Sequence, residues 1–380
     1  MDNASKTGQT GYAARGNKKK KGLPARAVFS LCAAAGGASL RIISRTVPGF
    51  ANRFSAVINP IAVGTLGRFS GIFPFSLAEI LLCVLVFYVI YVLVIIPASL
   101  FRHSQEMTRT FLRHLSRLAV IASALFLIFE VNEDVYFART RFAKIYGLER
   151  DDYSDEELAA ACSVLIDEIN RLAPYMERDK NGIMQVSPGL PDRMRSAMSR
   201  LGQTYPELAG RYPRPKPVLF SRLLSRCDIT GVYSMFTIEA NYNRDIPSYN
   251  LPFTMGHELA HLKGFESEKE ANFIGFLAAI SADDPDIRYS GAMLGWVYCG
   301  NELHRRDRAR WEALHAKIND ASVLDLEDNS RYWEHYKGKA SETMHDINDA
   351  YLKAEGLQEG YASYDLVVDM IVTYLTADRQ

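Results

Sequence analysis

Apolar positions along this 380-residue chain follow two regimes. Up to about residue 137 they form long runs, and beyond about residue 146 they recur at helical spacing between charged positions. Leu77 to Phe101 is almost unbroken Leu, Val, Ile, Phe and Tyr, with Glu79 at its start and Pro97 near its end, long enough to cross a bilayer. Ala27 to Ser44 is a second, smaller-residue run. Its apolar character continues past the small residues, which favours a span over a cleaved signal sequence. A third run, Leu118 to Phe129, spans only by borrowing Leu115 on one side and Val131 to Phe137 on the other. This predicts a membrane region over 27–137 with spans near 27–44, 77–101 and 115–137. Between the first two runs, Val47 to Ser76 mixes Pro, Gly and Arg with apolar residues and predicts an interfacial or amphipathic connector.

The second regime predicts a mainly α domain with a small β element over 146–380. Ser154 to Glu157 reads as a capping box opening a helix through Leu158, Ala161, Cys162, Leu165, Ile166, Ile169 and Leu172. A second amphipathic helix is expected over Pro188 to Leu208. Strand-like runs follow at Val218 to Phe220 and Gly231 to Asn241. Pro252 suits the first turn of a helix that Gly264 ends. Ser267 to Glu270 then reads as another capping box, opening a helix as far as Ile280. One long helix is expected from Ile287 to Ile318, with others over 330–339, 341–355 and 363–376.

Charge changes this picture in two places. The chain is neutral overall, which argues against a nucleic-acid partner. Residues 1–26, however, carry Lys6, Arg15, Lys18 to Lys21 and Arg26 against Asp2 alone, so a disordered basic N-terminus is expected. Arg102, Arg109, Arg113 and Arg117 face only Glu106, so the positive-inside rule puts this hairpin in the cytoplasm with the N-terminus. If the third run crosses, everything after about residue 138 lies outside; if it only lies on the membrane, the rest is cytoplasmic, and Glu130, Glu133 and Asp134 after the run favour crossing. The five cysteines have no C-x-x-C spacing and make no disulfide framework.

The chemistry is concentrated in His257-Glu258-Leu259-Ala260-His261. On a helix the two histidines lie one turn apart on one face, where both imidazoles reach a single Zn2+, and Glu258 sits beside the open coordination position as general base. A catalytic zinc needs a third protein ligand, and Glu266, Glu268 and Glu270 are the candidates. Glu268 lies one turn before Asn272, so Glu268 can coordinate while Asn272 supports a ligand histidine. His304 and Tyr351 are candidate donors to a tetrahedral oxyanion. A strand through Thr237, Ile238 and Glu239 could pair with an extended substrate, provided its edge is open. The reaction class such a site serves is amide hydrolysis. The competing reading is a membrane-anchored scaffold or sensor with a structural or relict zinc site, which has no use for Glu258.

H-E-x-x-H followed by Glu268, Ala271 and Asn272 resembles the gluzincin pattern of integral-membrane zinc peptidases related to the CAAX-prenyl endopeptidases and the heat-shock membrane protease. That resemblance implies Glu268 as third ligand, with Asn272 where Asp is usual. A closer resemblance is to an uncharacterised family of bacterial membrane proteins described as zinc peptidases. Phe73 to Ser76, Gly231 to Asn243, Leu251 to His261, Glu268 to Phe273, Asn348 to Lys353 and Ser363-Tyr364 carry it. Val131 to Asp134 departs from the Asn-Tyr-Gly-Arg-like stretch expected there. The resemblance implies a bacterial membrane protein with a C-terminal zincin-like peptidase domain, Zn2+ as cofactor, a peptide or protein substrate and the lipid bilayer as partners. Taken with the charge pattern, it places the domain outside the cytoplasm. Oligomeric state is not legible.

Overall fold

The computed structural model describes residues 23–102, 105–150, 152–354 and 367–377. The basic segment expected to be disordered lies almost wholly outside the described residues, as does Ser363-Tyr364. The described residues are mostly helical, with two small sheets among them.

Among the described residues three helices are long and apolar enough to cross a membrane: α1 (Ala25–Thr46), α4 (Leu77–Arg102) and α5 (Gln105–Asn132). The third run, short as a string of apolar letters, belongs to a helix of 28 residues and needs no borrowed coil. Side chains such as Leu82, Phe87 and Val94 stand exposed along α4. Helices α1 and α5 pack along their length, and their far ends are locked by charge. Arg41 pairs with Glu130 and Asp134, and Arg45 with Asp134, each at 2.9 Å, with both carboxylates fully buried.

The connector is more than an amphipathic surface. It folds as α2 (Phe50–Ala62), a π-helical turn and α3 (Arg68–Ser70), and Asn59 Nδ2 donates to the Leu262 carbonyl at 2.7 Å. After α5, the short α6 (Phe142–Ile145) leads into α7 (Asp155–Leu172). Ser154 and Glu157 form the expected capping box at its start. A two-residue ribbon, β1 (Glu177–Arg178) with β2 (Met184–Gln185), precedes α8 (Leu190–Thr204).

The second sheet has the order β3 (Lys216–Pro217), β5 (Glu239–Tyr242), β4 (Gly231–Ser234), with β3 parallel and β4 antiparallel to the central strand. Two expectations change here. Val218 to Phe220 is not the strand, because Glu79 accepts from the Leu219 and Phe220 amides at 2.8 Å and turns the chain into α9 (Ser221–Arg226). Gly231 to Asn241 is not one strand either. Thr237 Oγ1 donates to Glu239 at 2.7 Å and Ile238 takes φ +54°, folding the run into a hairpin.

The core joins α7 and α8 to α10 (Asn250–Leu262), α11 (Glu268–Ile280) and α12 (Pro285–Arg306), with α16 (Val368–Thr376) against α7 and α12. The expected long helix breaks at Asp307, whose carboxylate accepts from the Arg310 amide at 2.9 Å and opens α13 (Arg308–His315). Helices α14 (Asp320–Tyr336) and α15 (Lys339–Ala354) follow. The second expected capping box is absent. Ser267 is the N-cap of α11 without a side-chain bond, and Glu270 instead accepts from the Ala143 amide at 3.1 Å.

Two membrane-length helices are bolted to this domain. Asn132 Nδ2 donates to the Met235 carbonyl at 3.0 Å, fixing the end of α5 to the hairpin turn. Glu239 accepts from the Leu77 and Ala78 amides at 3.2 and 2.8 Å, satisfying orphan donors at the start of α4 while it pairs with the buried Lys216.

Candidate metal centre

Helix α10 is buried on nearly every side, so its two histidines sit in the core rather than on a surface stripe. Gly264, at φ +78°, turns the chain back within two residues of the helix end. Arg139 clamps that turn: Nη1 donates to the carbonyls of Lys263 and Gly264, both at 2.8 Å, and the guanidinium lies 4.7 Å from the Phe265 ring centroid. The reversal delivers Glu268, first residue of α11, onto the histidines. At Gly275 a Cβ would come within 3.0 Å of the His257 backbone nitrogen, so a bare glycine allows α10 and α11 to pack this closely.

His257 Nε2 and His261 Nε2 lie 3.0 Å apart, and Glu268 Oε2 is 3.3 Å from the first and 3.8 Å from the second. Tetrahedral ligands about 2.0–2.1 Å from a zinc ion stand roughly 3.3 Å from one another. The three donor atoms therefore lie at separations at which they could hold a metal ion. His261 Nδ1 lies 2.9 Å from the Phe265 carbonyl, which can only accept, so the proton belongs on Nδ1 and Nε2 presents its lone pair to the centre. The buried Asn272 side chain approaches the His257 imidazole.

The three candidate third ligands separate. Glu266 lies on the far, Nδ1 side of His261 at 3.6 Å, and burial pushes its carboxyl well up. Glu270 is spent on Ala143, and Glu268 alone faces both Nε2 atoms. Burial works to lower the His257 imidazole, but hydrogen bonding and charge from Glu268 outweigh it and raise it. Burial also pushes the Glu258 carboxyl up to about 7, against the pull of His257 and His261.

These groups form one wall of a cleft of about 580 Å³. The cleft is also lined by Glu133 and Phe137, just past the end of α5, by Trp333 of α14 and by Met344, His345, Asn348 and Tyr351 of α15. The strand in this cleft is β4, the edge of its sheet, with Gly231 against the Glu258 carboxylate. That corrects the substrate-strand expectation. Thr237 and Ile238 are buried in the hairpin turn, and Glu239 lies on the central strand, so none of them offers an open edge.

The two oxyanion candidates also part. Tyr351 reaches the cleft, where its hydroxyl donates to Glu133. His304 does not: it is exposed near the end of α12 with its ring against Trp311, 4.8 Å between centroids. Arg139, Glu133 and Tyr233, whose backbone amide hydrogen-bonds the Glu258 carboxylate, carry no mark in the sequence, since no motif links positions so distant along the chain. His345, which the sequence marks only as a surface or core histidine, lies within 2.9 Å of Asp228 and lines the same cleft.

A family model described as "Protein of unknown function (DUF3810)" matches residues 54–372, most of the chain. The chain belongs to this family. The match takes in α4, α5 and every residue of the candidate metal centre. No curated protein and no solved structure matches the chain.

Proposed function

We propose that this DUF3810 protein is a membrane-anchored zinc metallopeptidase of the gluzincin type, with a zincin-like domain that hydrolyses peptide bonds. The observation that carries the reading is the convergence of His257 Nε2, His261 Nε2 and Glu268 Oε2 beside Glu258, beneath an edge strand in an open cleft. A structural site is closed by four protein ligands and has no use for a buried acid beside it.

His257, His261 and Glu268 would hold the metal, which supplies Lewis acidity and makes hydroxide available near neutral pH. Glu258 accepts a proton from water in the cleft and passes it to the leaving amine nitrogen. Its carboxyl, near 7, suits both directions of transfer. The accessible start of the edge strand β4, at Gly231 and Val232, aligns an extended peptide beside Glu258 by strand addition. His261 keeps its orientation through the Phe265 carbonyl, so its lone pair stays aimed at the centre.

Helices α1, α4 and α5 serve as the membrane anchor. Arg102, Arg109, Arg113 and Arg117 about the α4–α5 connection support a cytoplasmic hairpin and an extracytoplasmic domain. The test is elemental analysis of detergent-purified protein together with peptide cleavage by wild type and Glu258→Gln. One zinc per chain in both, with cleavage by wild type only, is expected. Equal zinc with no cleavage by wild type across a broad peptide library would instead favour the scaffold or sensor.

A further inference from the structure

The seam between α1 and α5 carries two pairs of arginines, and only one pair is neutralised. At the far end Arg41 and Arg45 meet the buried Glu130 and Asp134. At the end where α1 begins, Arg26 Nη1 donates to Ser116 Oγ at 3.3 Å, which sets it beside Arg117. Among the described residues no carboxylate pairs with Arg26 or Arg117. Both line a groove of about 530 Å³ between α1, α4 and α5.

The rest of that groove is apolar. Leu81, Val84 and Leu85 of α4 face Val120 and Ile121 of α5, beginning about one helical turn from the arginines. Tyr88 completes the polar end, its hydroxyl 3.1 Å from His114 Nδ1. A site with two guanidiniums at one end and hydrocarbon along the other matches one common molecule in shape and charge. Exposed arginines with no carboxylate partner, set at the end of a groove lined by apolar residues of membrane-length helices, attract an anion that carries hydrocarbon.

We infer that the groove binds an anionic phospholipid, its phosphodiester held between Arg26 and Arg117 and the start of an acyl chain along Val84, Leu85 and Ile121. The inference rests on α1, α4 and α5 crossing a bilayer, and it is independent of the metal centre. The guanidinium forks supply bidentate donors to phosphate oxygens, a geometry that lysine does not reproduce.

The experiment uses full-length protein extracted in detergent and equilibrated with equal amounts of phosphatidylglycerol and phosphatidylcholine. Co-purified lipid is then quantified by mass spectrometry. Wild type is expected to retain phosphatidylglycerol over phosphatidylcholine by roughly thirtyfold, the scale that two basic side chains at about 1 kcal/mol each supply at an anionic lipid surface. Arg26→Gln with Arg117→Gln should erase the preference, and Arg109→Gln, outside the groove, should leave it intact. Val84→Trp fills the groove without touching charge and should also expel the lipid. This keeps the test valid if the double variant folds poorly. Equal retention of both lipids by wild type, retention undiminished in Val84→Trp, or displacement of the lipid by excess inorganic phosphate would each overturn the inference. Protein that stays soluble without detergent would overturn the membrane reading beneath it.

Discussion

Replacing Gly231 by alanine tests the relation between β4 and Glu258 without altering any group that reacts. A Cβ at this position would lie 2.5 Å from Glu258 Oε1, 2.8 Å from its Cγ and 2.9 Å from the Asn241 carbonyl oxygen. Ordinary contacts begin near 3.4 Å, so the overlap approaches 1 Å. Rotating the carboxylate relieves the first contact but not the second. Retreat of the strand is blocked by Asn241 on β5, which is backbone and pairs with Val232. Glu258 must therefore shift by several tenths of an ångström or more. Overpacking of this kind costs about 1–3 kcal/mol of stability. A misplacement approaching 1 Å at a proton-transferring group costs on the order of 100-fold in rate, or about 2.7 kcal/mol of barrier. The assay is kcat/KM on a cleaved peptide, with zinc content and melting midpoint measured on the same preparation. The expected outcome is unchanged zinc, a modest fall in melting midpoint and a loss of roughly two orders of magnitude in kcat/KM. A variant with full zinc and activity within threefold of wild type would refute the role given to Glu258 and β4.

Three other perturbations report on separate parts of the structure. Glu268→Gln should lower zinc stoichiometry while Glu266→Gln retains it; the reverse pattern in elemental analysis would move the third ligand to the Nδ1 side of His261. Arg139→Met removes two carbonyl hydrogen bonds and the cation over Phe265, so a loss of about 2–4 kcal/mol is expected in thermal melting, with weaker zinc retention. Glu168 is held below its ordinary value by the hydrogen bond from Arg171 and, against burial, by Arg288. Its folded pKa lies below the unfolded one, so its stabilisation is present above the unfolded value and lost as pH falls through the folded value. Arg288→Met should accordingly show a shallower fall in melting midpoint on acidification than wild type, and parallel curves would dismiss the pair.

The membrane-length helices and the α10–α11 hairpin were legible because each is specified locally. A run of apolar residues needs only its own length to span hydrocarbon. Two histidines one helical turn apart share a face whatever the rest of the fold does. Gly264 marks its turn by a backbone conformation that other residues rarely adopt.

Sequence by itself thus determined the two histidines, the adjacent glutamate and the expected spans, all features set within a few turns of chain. Tertiary structure decided what depends on distant segments meeting. It separated Glu268 from Glu266 and Glu270, because only a packed domain brings Arg139 onto the turn and Ala143 onto Glu270. It placed Gly231–Ser234, rather than residues 237–239, at a sheet edge beside the cleft, since strand order is a long-range property that alternation of side chains does not encode. It sent His304 to Trp311 and Tyr351 to the cleft, two residues whose letters offered equal promise. It also showed that the two arginine pairs along the α1–α5 seam differ, one meeting buried carboxylates and the other an apolar groove. Charge in a sequence is a count, whereas pairing is a matter of distance.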